Sequence, residues 1–455
     1  MILEDPLSIT DERSHAGYVT DPVAAVAGLA GADLFGEYVV YERPGEWVFA
    51  ADPIGTVELG VEELRVEWDG RTSTHRWTGR PASALDQALR TLPLDGRNAY
   101  GWIGFEFCAW ALDATAHVAA PTALAHLMIP RIEVRIAMSG IRISGATPAE
   151  ARAIHDLVTA AQDTALPLPH PTDVRSDRTG YRERVAEASA EIRDGRYRKV
   201  ILSRKVELPF MVDVPATYRL GRAHNTPARS FLLRLGGLAA AGFSPELVVS
   251  VDDDRVITTR PVAGTRRFGH SPAADLAART DLLGDPKEIA EHAMSVHTSF
   301  TEVSAIAAPD TPAIVDFMTV RERGSVQHLT STVRGLLIAD RTSWDALEAL
   351  FPAVTASGIP KREGVDAIFR LDRDPRGLYS GAVVTVSPSG SLEATLVLRA
   401  VYQDIHGAWL RAGAGIIEQS TPEREFEETC EKLESIAPYV VAASPSVGTG
   451  QPTLR

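Results

Sequence analysis

The chain has 455 residues, 45% hydrophobic and 23% charged, a globular composition with ample apolar material for a large core. Its formal net charge of -14 repels phosphate backbones and anionic lipid, which argues against nucleic acid and membrane surfaces as partners. The same field repels a small anionic ligand unless a cation cluster or a metal ion receives it locally.

Cys108 and Cys430 are the only cysteines, too few and too far apart for a disulfide framework, and they fit a reducing cytosol. The start has no basic stretch followed by an apolar run, and no apolar segment is long enough to span a bilayer, so a cytoplasmic location is expected. Residues 1–20 are polar and irregular, an expected mobile N-terminus. Tyr38–Tyr41, Trp47–Ala50 and Leu64–Trp68 have strand composition and are separated by Gly, Pro and Asp, which predicts antiparallel sheet. Ala82–Leu92 has helical apolar spacing, Ala99–Phe107 and Met128–Ile143 have strand character, and Pro148–Ala161 has helical character. These elements form an expected β-rich part over 21–165. A Pro-rich linker is expected over 166–178, where three prolines between Leu166 and Thr172 resist helix and sheet alike.

From 179 to 441 the signals are denser. Tyr181–Ile192 is an amphipathic helix ending near Gly195, and Lys199–Leu208 is a β-rich run. Lys287–Ile306 is a long helix, Gly381–Val401 a hairpin turned by Ser387-Pro-Ser-Gly390, Trp409–Ile417 a Gly-interrupted strand, and Pro422–Tyr439 the last helix. The Ser/Pro/Gly/Thr tail over 442–455 is expected to be disordered. The mixed order of helices and strands predicts an α+β fold rather than βαβ winding.

Glu288 and Glu291 lie three apart on one predicted helix and Glu425 and Glu428 repeat that spacing on another, so each pair shares a helix face. Four carboxylates on two helices suit a hard cation such as magnesium; taken singly, each pair is equally a solvated acidic face. Strand alternation puts Lys199 with Ile201 and Ser203 on one face, either as a desolvated base or as a strand-end lysine reaching for water. Glu246 is a single acid among apolar neighbours, where burial would raise its pKa and suit it to general-acid work. Ala412-Gly-Ala-Gly-Ile416 and Val262-Ala-Gly-Thr-Arg266 are small-residue loops following strands, open to close approach of an anion. No Ser-His-Asp order, Walker loop or His/Cys metal spacing is present.

Several segments, in order, resemble the chorismate-utilising enzymes, the group of isochorismate, salicylate and anthranilate synthases and aminodeoxychorismate synthase. They are Lys199-Val-Ile-Leu-Ser-Arg204, Ser244-Pro-Glu-Leu247, Pro261-Val-Ala-Gly-Thr-Arg266, Lys287-Glu-Ile-Ala-Glu-His292, Ser325-Val-Gln-His-Leu329, Arg376-Gly-Leu-Tyr-Ser-Gly381, Arg411-Ala-Gly-Ala-Gly-Ile416 and Pro422-Glu-Arg-Glu-Phe-Glu-Glu-Thr429. The stretches from Asp316 to Ser325 and from Phe351 to Pro360 are similar to those of mycobactin-type salicylate synthases.

The resemblance implies an anthranilate-synthase-like fold with large antiparallel sheets and helices outside. It implies chorismate as substrate and magnesium held by Glu288, Glu291, Glu425 and Glu428. Gly264 and Thr265 would bind the ring carboxylate, with Lys432 adding positive charge near it. Tyr379, Arg399 and the backbone of Gly413, Ala414 and Gly415 would grip the enolpyruvyl carboxylate, and His328 and Thr355 would line the pocket. Lys199 would activate water and Glu246 would protonate the departing hydroxyl. The resemblance further implies a monomer making salicylate and pyruvate by way of isochorismate, for siderophore biosynthesis. The neighbouring alternatives are a synthase stopping at isochorismate and an anthranilate synthase component I-like enzyme. Lys199 replaces the glutamine usual in anthranilate synthases, and Ala263 the lysine usual in aminodeoxychorismate synthases, so water rather than ammonia is the expected nucleophile. Arg260 departs from the salicylate subgroup, which often has Glu before the loop proline.

Overall fold

In a computed structural model, residues 13–15, 19–32, 34–162, 164–269, 271–323 and 326–444 are described. The mobile ends expected at 1–20 and 442–455 fall mostly outside these residues, as do Gly324 and Ser325. Among the described residues, twenty-one strands join into one continuous sheet system, with ten α-helices against it. The fold is α+β.

The sheet is stitched across the whole sequence. Tyr38–Arg43 pairs antiparallel with Glu46–Gly60 on one side and with Arg229–Leu235 on the other. Ala99–Ile103 pairs antiparallel with Ala382–Val386. Strands from before and after the Pro-rich stretch therefore alternate in the same sheet, and among the described residues no helix or strand lies between Ala161 and Tyr181. Glu46–Gly60 and Ala123–Ala137 are each 15 residues long, and their register slips between Pro53 and Gly55, where Pro53 faces Pro130. A proline has no N–H to donate to the ladder, so two facing prolines favour a bulge there. Helices cover the sheet: Pro148–Ala161 starts on a capping box made by Thr147 and Glu150, and Pro286–Ser304 on the Asp285 side chain.

One large core gathers Leu85, Phe105, Tyr181, Val200, Leu202, Leu347 and Ile368; a second gathers Val26, Leu29, Ile154, Tyr218 and Leu410. Each such fully buried aliphatic side chain contributes about 1.5–3 kcal/mol. Valine and leucine on Lys199–Leu208 thus anchor in apolar surroundings the strand that carries Lys199.

Five segments differ from the sequence expectation. The strand from Ala99 stops at Ile103 and Phe105–Ala109 coils into a 3-10 helix. There the Glu106 carboxylate accepts hydrogen bonds from the Arg376 and Gly377 amides, a tertiary contact that overrides local strand character. Val262–Arg267 is a strand rather than a loop; it pairs with Val326–Leu336 and its register shifts between Ala263 and Thr265, around Gly264 at φ 67°. Gly413–Gly415 likewise lies inside the strand Gly407–Ile416, not after it. The hairpin from Gly381 closes at Leu396, and Ala400–Asp404 is a separate strand between Leu238–Ser244 and Gly407–Ile416. The last helix ends at Leu433, before Pro438, and a short 3-10 turn follows at Ala437–Tyr439.

Candidate active site

The strand Lys199–Leu208 pairs with Gly407–Ile416 along its length, setting Ile201 opposite Gly415 and Ser203 opposite Gly413. At its start, Lys199 pairs with Ile359 of a two-residue strand. The small residues opposite are required. A Cβ at Gly413 would come within 2.9 Å of the Tyr379 hydroxyl, and one at Gly415 within 3.1 Å of Lys199 Cε. Larger side chains would press on Tyr379 and Lys199.

Lys199 is 3% exposed, so of its two expected placements the structure has the desolvated one. Its Nζ donates to the Glu291 carboxylate. Glu246 is 4% exposed and follows the strand Leu238–Ser244. Thr355, on the 3-10 turn Val354–Ala356, donates to Glu246 Oε2 at 2.7 Å. Burial raises the Glu246 carboxyl to about 8, opposed by the Thr355 hydrogen bond and by the charge of Lys199. Glu246 therefore holds a proton at neutral pH and can donate it. The cation whose field reaches it is Lys199.

Glu288 and Glu291 share a face of Pro286–Ser304, and Glu425 and Glu428 share a face of Pro422–Leu433. Burial pushes Glu288 up despite its bond to Arg266, and the Glu291 charge adds to the rise. Burial also pushes Glu425 up, with Ser420 opposing and Glu428 adding. Burial works on Glu291 and Glu428 too, but Lys199 holds the first below the usual carboxylate range and Lys432 the second. Lys432 bonds Glu428 at 2.9 Å and the Gly413 carbonyl at 2.8 Å, tying the last helix to the glycine-bearing strand.

The donor set suits a hard cation: four carboxylates, two pairs of them in mutual repulsion, and a buried Glu425 Oε2 with no hydrogen-bond partner. Among the described residues, however, no three acidic, histidine or cysteine side chains are drawn together at metal-holding distance. Arg266, Lys199 and Lys432 instead each hold one of these four carboxylates.

Thr265 and Arg399 meet on His328. Thr265 Oγ1 lies 2.9 Å from His328 Nδ1, and Arg399 donates to His328 Nε2 at 3.0 Å. A guanidinium only donates, so Nε2 is the accepting nitrogen and Nδ1 carries the hydrogen. Gly264 brings the backbone beside Glu288, since a Cβ there would lie 3.0 Å from Glu288 Oε2. Tyr379 is buried, its ring under the guanidinium groups of Arg376 and Arg411, and Ala414 is fully buried.

Most residues singled out from the sequence are thus drawn into linked contacts. Two participants had no role assigned to them. Arg266 bonds Glu288, Asp285 and Asp281, and Lys287 acts electrostatically on Glu291, Glu425 and Glu428. Both stand inside the quoted strings, and an unmatched cation next to an acidic pair was the available signal.

A sequence profile of chorismate binding enzymes matches residues 37–438. A salicylate synthase of Mycolicibacterium paratuberculosis is 53% identical over 410 residues, 89% of this chain and 90% of that protein. An anthranilate synthase component 1 of Halobacterium salinarum is 38% identical over 58% of this chain and 51% of its own length. In structure, anthranilate synthase component I from Streptococcus pneumoniae superposes with a TM-score of 0.72 at 24% identity, covering 88% of this chain and 92% of that one. The menaquinone-specific isochorismate synthase of Escherichia coli superposes at 0.71 and 20% identity, covering 94% of each chain.

Proposed function

The chain belongs to the family of chorismate binding enzymes, and from that premise we propose that it converts chorismate by way of isochorismate to salicylate and pyruvate. The observation that carries the first half is the buried, proton-holding Glu246 within the electrostatic reach of the buried Lys199. The second half is supported by the 53% identity to a salicylate synthase over most of both chains.

Lys199 takes a proton from a water molecule as its oxygen bonds to C2 of the ring. Glu246 gives its proton to the C4 hydroxyl, which leaves as water while the ring double bonds shift. One water enters and one departs, so the step is an isomerisation. Such acid–base assistance contributes ~100- to 10,000-fold for each group. Lys199 must release Glu291 to act as a base, because an ammonium donating to a carboxylate has no lone pair to offer.

Chorismate carries two carboxylates. Gly264 and Thr265 receive the one on the ring, with Lys432 adding positive charge. Arg399, Tyr379 and the backbone of Gly413, Ala414 and Gly415 grip the one on the enolpyruvyl arm. His328 keeps Arg399 oriented through its accepting Nε2, and a guanidinium so fixed can offer its fork to a carboxylate. Glu288, Glu291, Glu425 and Glu428 would hold a magnesium ion, which supplies a positive counter-charge for the ring carboxylate.

In the second half, the C2 hydrogen passes to the enolpyruvyl methylene as the C3–O bond breaks, leaving pyruvate and the aromatic ring. No new acid or base is needed, only alignment of the arm over C2. A cytoplasmic monomer supplying salicylate to siderophore assembly completes the proposal.

Incubating pure protein with chorismate and magnesium tests it. Isochorismate should appear early and decay while salicylate and pyruvate rise in equal amounts, and EDTA should stop the reaction until magnesium is restored. Stable isochorismate without pyruvate, ammonium-dependent anthranilate, or full activity after EDTA would each contradict it.

A further inference from the structure

Arg266 holds one of the four carboxylates proposed to take magnesium. It stands on the strand Val262–Arg267, next to Thr265, and its side chain is 24% exposed. Its guanidinium reaches three carboxylates. Nε donates to Asp281 at 2.6 Å, Nη2 to Asp285 at 2.7 Å and Nη1 to Glu288 at 3.0 Å. The Glu288 bond is the longest of the three, and Nη1 divides itself between Glu288 and the Thr265 carbonyl, also at 3.0 Å.

The three acceptors have different duties. Asp281 belongs to the preceding helix, Pro272–Gly284. Asp285 is the N-cap of Pro286–Ser304: its Oδ1 accepts from the Lys287 and Glu288 amides, and its Oδ2 from Arg266. Glu288 alone of the three belongs to the four-glutamate set, and the Glu291 charge acts on it. A cation that neutralises a metal ligand has to move before a metal ion can use that ligand. For Arg266 the move is easy, because giving up Glu288 leaves the guanidinium on its two shorter carboxylate bonds and strands no unpaired charge. Lys199 and Lys432 are placed differently: among the described residues each has one carboxylate partner, so each would lose its only one.

Resting on the proposed magnesium site, we infer that Arg266 is the internal counter-ion of that site. It occupies Glu288 in the metal-free protein, yields Glu288 to the entering ion while staying on Asp281 and Asp285, and so sets the magnesium affinity. It acts through Glu288 and is a positioning residue. Without it, Glu288 and Glu291 are left in uncompensated repulsion, which a divalent cation relieves.

Magnesium titration calorimetry on the metal-stripped full chain, with no chorismate present, tests this apart from activity. Arg266→Gln should bind magnesium roughly 10-fold more tightly than wild type, because one competing charge is gone. Arg266→Met, which keeps the apolar stem, should do the same. Arg266→Lys retains the charge and should stay within about 3-fold of wild type. Arg279, exposed on Pro272–Gly284, supplies the control for charge alone. Arg279→Gln should change the affinity less than about 2-fold, since solvent and salt screen an exposed charge. Thermal melts give a second readout: metal-free Arg266→Gln should melt below wild type, and saturating magnesium should narrow the gap. Unchanged or weaker magnesium binding in the two neutral variants, with circular dichroism intact, would reduce Arg266 to a brace for the helix and overturn the inference. Equal tightening by Arg279→Gln would overturn it too. No magnesium binding by the wild type would overturn the proposed metal site and this inference with it.

Discussion

Asp372 and Glu246 are both almost fully buried carboxyl groups, and they behave in opposite ways. Asp372 accepts from Arg184 and the Ser203 amide on one oxygen, and from Arg376, Arg411 and the Ser203 hydroxyl on the other. Burial works to raise its pKa, but three guanidinium groups hold it below the ordinary range. Glu246 is buried as deeply with one side-chain hydrogen bond, and it rises to about 8. Burial by itself does not mark a working acid. The mark is burial left under-compensated, so that a proton stays on and can be given away. Asp372 shows what the fold does with a buried charge that has only to hold structure: it ties Arg411 on the glycine-bearing strand to the Lys199 strand and to the loop ahead of Tyr379.

The contrast breaks most visibly at Glu246. Glu246→Gln should lower chorismate consumption ~100- to 10,000-fold, as should Lys199→Ala. The native carboxyl binds a proton between about 4.5 and about 8 that the unfolded chain has released, so Glu246 costs stability as pH rises through that window. Glu246→Gln should therefore unfold no more easily than wild type at pH 7, and less easily at pH 9. Marked destabilisation at pH 9 would contradict the assignment. Asp372→Ala should do the reverse, losing about 3–5 kcal/mol in urea unfolding by leaving three buried guanidinium groups without their counter-charge. A stable Asp372→Ala variant would remove the structural half of the comparison.

The smallest expected effect is the most diagnostic of the cause. First-step kcat/KM should fall as pH rises through about 8, because the acid is then ionised. The Thr355 hydroxyl favours the ionised form, so Thr355→Val should move that alkaline limb upward while changing the rate at pH 7 modestly, by about 0.5–1.5 kcal/mol for one hydrogen bond. A limb that moves downward would assign the titration to another group.

Much of this was readable in the chain. Helical spacing placed both glutamate pairs on shared faces, and Pro148–Ala161 has the expected bounds. The quoted strings named Lys199 and Glu246. What stayed hidden depends on contacts between distant segments. Lys199 could be buried or solvent-seeking on sequence evidence, and its partner Glu291, 92 residues away, accompanies the buried placement. Asp372 meets Arg184 and Arg411 across 188 and 39 residues, separations that no local pattern encodes. The Val262–Arg267 segment has the small residues of a loop, and its pairing with Val326–Leu336 makes it a strand. The 3-10 turn at Phe105–Ala109 follows from where Glu106 finds its amide donors.

The central claim is that Lys199 and Glu246 serve only the water-exchange half, while the shaped cleft performs the elimination. Supplying isochorismate directly to Lys199→Ala and Glu246→Gln, in the presence of magnesium, tests it most directly. Both variants should release pyruvate and salicylate from isochorismate at rates near wild type while failing to consume chorismate. Parallel loss of both reactions, with the variants still folded, would contradict it.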